Sequence, residues 1–236
     1  MAEAVADLAP DARFLFVGGR RGLEAEIVPA AGLEFHATPF PSLRDPGARL
    51  SLVTRALLLP VALVDALWHV ARFRPSVCLT SGGAVAFPVV LAASALGVPV
   101  ALWTGDVVPG RANRALARWA SRIAAAFPGA EPYFKKGRVE VTGNPIRRSL
   151  LRWTRADGRR HLGIADDEKV VLVTGGSQGS ARINEAVGPA LPRLLARATV
   201  LHHVGPANVA RAEARRETLT CQQRERSRPF GFLKDD

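Results

Sequence analysis

Cysteine is scarce: Cys78 and Cys221 are the only two in 236 residues, far apart, with no CxxC pair and no clustered histidines in the sequence. That argues against a disulfide framework and a local zinc motif, and makes a reducing cytoplasm the expected surroundings. Long hydrophobic runs are missing too. The longest, Ala56 to Trp68, is broken by Pro60 and Asp65 and falls short of the roughly 20 residues that span a bilayer. The opening MAEAVADLAP has no basic flank, long apolar run or small-residue cleavage site, so no secretory leader is expected. Acidic side chains are outnumbered as well. With 21 Asp plus Glu against 32 Lys plus Arg, the net charge of +11 and pI near 11.1 favour anionic partners. Nucleic acid, phosphorylated substrates and acidic lipid headgroups all satisfy that preference.

What is present reads as a globular chain, 48% hydrophobic and 22% charged. Short apolar runs alternate with helix-length segments, the βαβ pattern of an α/β protein with parallel sheets. RFLFVG (from Arg13), LEFHA (from Leu33), SVCLT (from Ser76), VPVALWT (from Val98), SRIAAAF (from Ser121) and RVEV (from Arg138) read as strands. Between them lie a short helix stopped by Gly32, a long one from about Arg49 to Phe73 with a bend expected at Pro60, an apolar one ended by Gly97, and one from Arg111 to Ala120. A Pro-rich loop, TPFPSLRDPG, precedes the long helix. The reading places one domain at 1–147 and a second at 148–236, with a polar, arginine-rich stretch carrying the crossing. The second domain supplies a strand from Lys169 to Thr174, a helix from Ala181 to about Leu195, the strand TVLHHVG, an arginine-rich helical stretch and PFGFLKDD. A sheet of two or three strands leaves an edge and a face uncovered.

The stretch VTGGSQGSARIN, Val173 to Asn184, carries three glycines in five residues between a strand and a helix. Such a loop aims backbone N–H groups and the positive end of a helix at one point, a ready phosphate site, and the Ser177 hydroxyl adds a donor. It is neither a Walker A loop nor GxGxxG, and a tight turn without a ligand uses the same pattern. VTGNPIR strengthens the phosphate reading, because Arg147 follows a Gly-Asn-Pro turn and its guanidinium suits phosphate.

VEVTGNPIR and VLVTGGSQGSARINEAV together resemble the MurG family, the N-acetylglucosaminyltransferases that join UDP-N-acetylglucosamine to undecaprenyl-pyrophosphoryl-muramoyl-pentapeptide and make lipid II. RPSVCLTSGGAVAFPVVLAASALGVPV and GLEAEIVPAAGLEF are similar to earlier segments of that family. The resemblance implies a GT-B-like pair of Rossmann-like domains, with the lipid-linked acceptor on the first and UDP-sugar on the second. It places Asp106, Arg147, Gly176, Ser177, Gln178 and Asn184 on the donor side, and Gly82 and Gly83 on the acceptor side. Two departures stand out. WTGD, Trp103 to Asp106, replaces a family His-Glu-Gln-Asn run, and Ala84 replaces a tyrosine after the twin glycines. A carboxylate in place of an amide removes donors and adds negative charge, unfavourable beside a pyrophosphate. The family's N-terminal glycine loop and most of its donor domain have no counterpart, so the chain is expected to be the middle of such an enzyme and inactive alone. No catalytic residue is assigned, and no metal or cofactor is called for.

The segment around the long helix mixes Leu57, Leu58, Val61 and Trp68 with Arg49, Arg55, Arg72 and Arg74, a composition suited to an anionic membrane surface. Core packing of these apolar residues is the competing reading. The resemblance adds the cytoplasmic face of a bacterial inner membrane as the expected location. His36, His69 and His161 sit in different segments without metal spacing, and His202 and His203 point to opposite faces of a strand. The stretch from Arg211 to Pro229 carries six arginines; interspersed glutamates and the lack of aromatics favour a solvated helical face over a nucleic-acid patch. The function that follows is transfer of N-acetylglucosamine in peptidoglycan synthesis, with an inactive fragment or nucleotide-sugar- or lipid-binding module as the alternative.

Overall fold

The computed structural model describes residues 1–20, 22–41, 52–135 and 139–232, without the side chains of 52–56. Most of the expected Pro-rich loop, the helix start near Arg49, the Arg55 side chain and the terminal LKDD lie outside the described residues. The chain divides into two compact units, Met1–Pro145 and Ile146–Asp236.

The first unit runs α1 (Ala2–Leu8), β1 (Leu15–Gly19), α2 (Glu24–Ala30), β2 (Glu34–Thr38), α3 (Leu52–Phe73), β3 (Cys78–Thr80), α4 (Ala86–Ala95), β4 (Val100–Thr104), α5 (Arg111–Leu116), β5 (Arg122–Ala125), a 3-10 turn (Pro128–Tyr133) and β6 (Val139–Val141). β1 and β2 pair in parallel, Leu15 opposite Glu34 and Gly19 opposite Thr38. β3, β4, β5 and β6 form a four-stranded parallel sheet in that order. Parallel strands are covered by their crossover helices. Val90 and Ala93 of α4 accordingly close over Val100 and Leu102 of β4, with Leu116 and Ile123 completing a buried core. Small residues let α3 approach α4: Ala66, Val70 and Ala92 form the seam. Cys78 borders the core, and burial pushes its thiol pKa up to about 11, so it behaves as an apolar side chain.

Helix α5 stops at Leu116, short of the expected Ala120. The backbone tightens there, with Arg118 N–H donating to Ala115 O and Trp119 N–H to Leu116 O. That turn buries Ala120 and delivers Ser121 N–H to Val100 O at 2.8 Å, starting β5 beside β4.

In the second unit the polar stretch read as a crossing forms two short helices, α6 (Arg148–Leu151) and α7 (Arg155–Leu162). Thr154 and Asp157 build a reciprocal capping box at the start of α7, and Gly163, at φ +60°, ends it. Then come β7 (Val170–Thr174), α8 (Ala181–Leu195), β8 (Thr199–His203), a 3-10 turn (Pro206–Asn208), α9 (Val209–Glu217), α10 (Cys221–Arg226) and β9 (Ser227–Phe230). The sheet is three-stranded and parallel, ordered β7, β8, β9. Leu191 and Leu195 of α8 bury against Val200. The arginine-rich stretch serves its own helices: Arg216 pairs with Glu213 at 3.3 Å, Arg224 with Glu217 at 3.2 Å, and Arg216 Nε donates to Arg224 O. The fold class is α/β with two Rossmann-like units, as the sequence predicts.

Candidate functional site

In the second unit the glycine loop lies beyond the carboxyl end of β7 and leads into the N-terminus of α8. This is the edge of an open parallel sheet where α/β proteins receive ligands. Gly179 N–H donates to Gly176 O at 2.6 Å, closing the turn, and the Ser180 hydroxyl caps α8 by accepting from Ile183 N–H. The loop's glycines serve different ends. Gly179, at φ +75°, faces the chain after β8: a Cβ there would sit 2.1 Å from Val204 O. Gly205, at φ +86°, reciprocates, its missing Cβ 2.1 Å from Gln178 O. The two backbones touch because both residues lack side chains, so this pair is structural. A Cβ on Gly176 would meet nothing within 4 Å. The fold leaves that position open, and Ser177 and Gln178 are exposed beside it.

Asn184 is half-buried on the first turn of α8, where its Nδ2 donates to Val204 O at 2.9 Å. Its amide therefore braces the helix against the loop after β8. The neighbouring histidines are also committed to the fold. His203 is held between Thr174 Oγ1 and Gly231 O, and its ring stacks on Phe230 at 5.4 Å. His202 is buried on the other face, and burial first, then the charges of His203 and Arg215, holds its pKa below the usual imidazole value. Arg147 is exposed and forms the N-cap position of α6.

In the first unit, Gly82 and Gly83 follow β3 with φ of +89° and +87°. The residue that shapes this loop is Asn113, buried on α5. Its Oδ1 accepts from Gly83 N–H at 3.2 Å, and its Nδ2 donates to Ser81 O and Thr104 Oγ1 at 3.5 and 3.4 Å. Thr80 Oγ1 accepts from Gly82 N–H at 3.0 Å. Sequence reading passes over Asn113 because no local pattern marks a helical asparagine that reaches back 30 residues. Asp106 is exposed in the loop after β4. Trp103, from the same WTGD run, donates its indole N–H to Gly143 O at 3.3 Å and so ties the end of β4 to the Gly-Asn-Pro turn after β6.

On α3, Leu57, Val61, Val64 and Trp68 are 70, 58, 68 and 59% exposed. Spaced i, i+4, i+7 and i+11, they form one apolar stripe along the helix. The Arg72 guanidinium lies 5.9 Å from the Trp68 ring. Leu58 is half-buried, and Val64 is a stripe member that the sequence reading omits. Among the described residues no helix is long and apolar enough to cross a membrane.

Residues 1–125 match the pattern of the glycosyltransferase family 28 N-terminal domain. The chain belongs to glycosyltransferase family 28. Its curated relatives extend the likeness past that domain. It is 41% identical over 190 residues to the UDP-N-acetylglucosamine--N-acetylmuramyl-(pentapeptide) pyrophosphoryl-undecaprenol N-acetylglucosamine transferase of Desulforudis audaxviator, covering 80% of this chain and 51% of that protein. The enzyme of the same name from Bacillus cytotoxicus is 35% identical over 183 residues, covering 76% and 49%. The chain thus spans about half the length of the curated relatives it matches. The family 28 chain also shares its fold with Acinetobacter baumannii MurG, at TM-score 0.63 and 23% identity over 99% of this chain and 63% of that one. A UDP-GlcNAc 2-epimerase from Neisseria meningitidis, solved with UDP-GlcNAc bound, gives TM-score 0.60 and 13% identity over 94% and 64%.

Proposed function

We propose that this chain carries the acceptor-facing unit and part of the donor-binding unit of an N-acetylglucosaminyltransferase of peptidoglycan synthesis. UDP-N-acetylglucosamine is the donor, and undecaprenyl-pyrophosphoryl-muramoyl-pentapeptide is the acceptor. The observation that carries this reading is the family membership together with 41% identity to a transferase named for these substrates, across a segment of 190 residues. The open backbone at Gly176, ahead of the N-terminus of α8, supports a diphosphate subsite with Ser177 and Gln178 beside it and Arg147 contributing charge. Asn184 acts on that subsite through its brace to Val204. Gly82 and Gly83, whose N–H groups are held by Thr80 and Asn113, shape the loop on the acceptor side.

In the reaction the acceptor's 4-hydroxyl oxygen attacks the anomeric carbon, a base takes the hydroxyl proton, and UDP departs with inversion. The loop and Arg147 stabilise charge that develops on the departing diphosphate. The stripe of Leu57, Val61 and Trp68, with Leu58 and Arg72 at its edge, seats the first unit on the anionic cytoplasmic face of a membrane, where the lipid-linked acceptor resides.

Calorimetric titration of the chain with UDP and UDP-N-acetylglucosamine tests the donor side. Saturable binding that is weakened by Arg147→Ala is expected, and no binding of either nucleotide would overturn it. A turnover assay with lipid-linked acceptor should show no transfer by this chain alone, and lipid II synthesis by the purified chain would overturn that expectation.

A further inference from the structure

Outside the glycine loops, the described residues contain one group of three metal-competent side chains: His36 of β2 with Asp65 and His69 of α3. Asp65 and His69 are four residues apart on one helical face, the spacing that places two ligands side by side. Strand β2 brings His36 to them from 29 residues away. Both imidazoles turn Nε2 toward the same carboxylate, His36 at 2.9 Å from Asp65 Oδ2 and His69 at 3.7 Å from Asp65 Oδ1.

We propose that His36, Asp65 and His69 form a binding site for a divalent transition-metal ion of the zinc class. Ligand atoms about 2.0–2.2 Å from a tetrahedral ion lie roughly 3.4 Å from one another. The 2.9 and 3.7 Å separations, to different oxygens of Asp65, fall on either side of that edge, and one ligand atom from each of the three side chains lies within 4.8 Å of the others. Two imidazoles and a carboxylate are a donor set that zinc accepts, and harder cations such as magnesium and calcium prefer oxygen alone. The side chains are 24, 25 and 22% exposed, which lets an ion enter and leaves water to complete its coordination.

Charge also favours an ion over a bare ion pair. The two rings lie close, with centroids 3.6 Å apart and planes tilted by 34°, and both turn a nitrogen to one carboxylate, whose negative charge a dication offsets. A bound ion would fasten α3 to β2 as a structural clamp. The site stands independently of the transferase reading.

The test is zinc titration of the tag-free, metal-stripped 236-residue chain by calorimetry and thermal unfolding, with cobalt(II) as the spectroscopic probe. One zinc per chain, a raised unfolding temperature and visible cobalt d–d absorption are expected. His36→Gln, Asp65→Asn and His69→Gln should each lower affinity about tenfold or more, while His161→Gln leaves it unchanged. No stoichiometric zinc binding, or binding retained by the double variant His36→Gln with His69→Gln, would overturn the site. If a variant does not fold, diethyl pyrocarbonate labelling of the parent chain decides: zinc protection of His36 and His69 supports the site, and unchanged labelling sinks it.

Discussion

The indole N–H of Trp103 reaches the carbonyl oxygen of Gly143 at 3.3 Å, bridging 40 residues. The run that departs from the family pattern therefore has a structural task, holding the Gly-Asn-Pro turn against the end of β4. Trp103→Phe keeps the ring and removes the donor, so we expect a stability loss of about 0.5–1.5 kcal/mol. Urea denaturation monitored by circular dichroism measures it, and faster amide exchange around Gly143 would place the loosening at the turn.

The two glycine substitutions in the second unit should behave oppositely. Gly179→Ala forces a side chain into the left-handed region and against Val204 O, costing about 2 kcal/mol or more. Gly176→Val points into open space and should change stability by about 0.5 kcal/mol or less. If the loop receives a diphosphate, the valine variant nevertheless loses UDP affinity. A folded Gly176→Val chain that binds UDP like its parent would leave the loop as a turn only.

Arg147→Ala should weaken UDP binding by about 1.5–3 kcal/mol through loss of a charge-assisted contact. Arg147→Lys retains charge without the planar fork and should fall between the two. Titration calorimetry on the three proteins, at one ionic strength, gives the comparison.

Sedimentation with vesicles tests the α3 stripe. The chain should pellet with vesicles containing anionic lipid and be released by salt. Val64→Asp sits at a position 68% exposed, so it should leave the fold intact while sharply reducing the pelleted fraction. Equal pelleting of parent and variant would show that the stripe does not touch lipid.

Acid sensitivity is expected from His202. Its folded pKa lies below the ordinary 6.5, chiefly because it is buried. The unfolded chain therefore takes up its proton first as pH falls, and stability drops from about pH 6.5 down to the folded value. Above that window the stability contributed by the neutral ring is fully present. His202→Gln should flatten this part of the curve, measured as denaturation midpoints from pH 7.5 to 5.0; an unchanged slope would contradict the assignment.

Sequence alone determined the alternation of strands and helices, the glycine loop from Gly175 to Gly179, the limits of α8 and the family resemblance, because each rests on neighbours within one turn or strand. Local signals misjudged the end of α5, where packing of Ala120 and the start of β5 override helix continuation, and missed the capping box that makes α7 from a stretch read as a crossing. Only the tertiary structure decided which glycines are structural. Gly179 and Gly205 look alike in sequence, yet they are required because the turns after β7 and β8 come into backbone contact when those strands pair in register. The same holds for Asn113 beneath Gly83, and for His36, Asp65 and His69. Histidines without metal spacing along the chain converge because the crossover after β2 lays α3 beside it, and side-chain convergence depends on that packing and not on sequence distance.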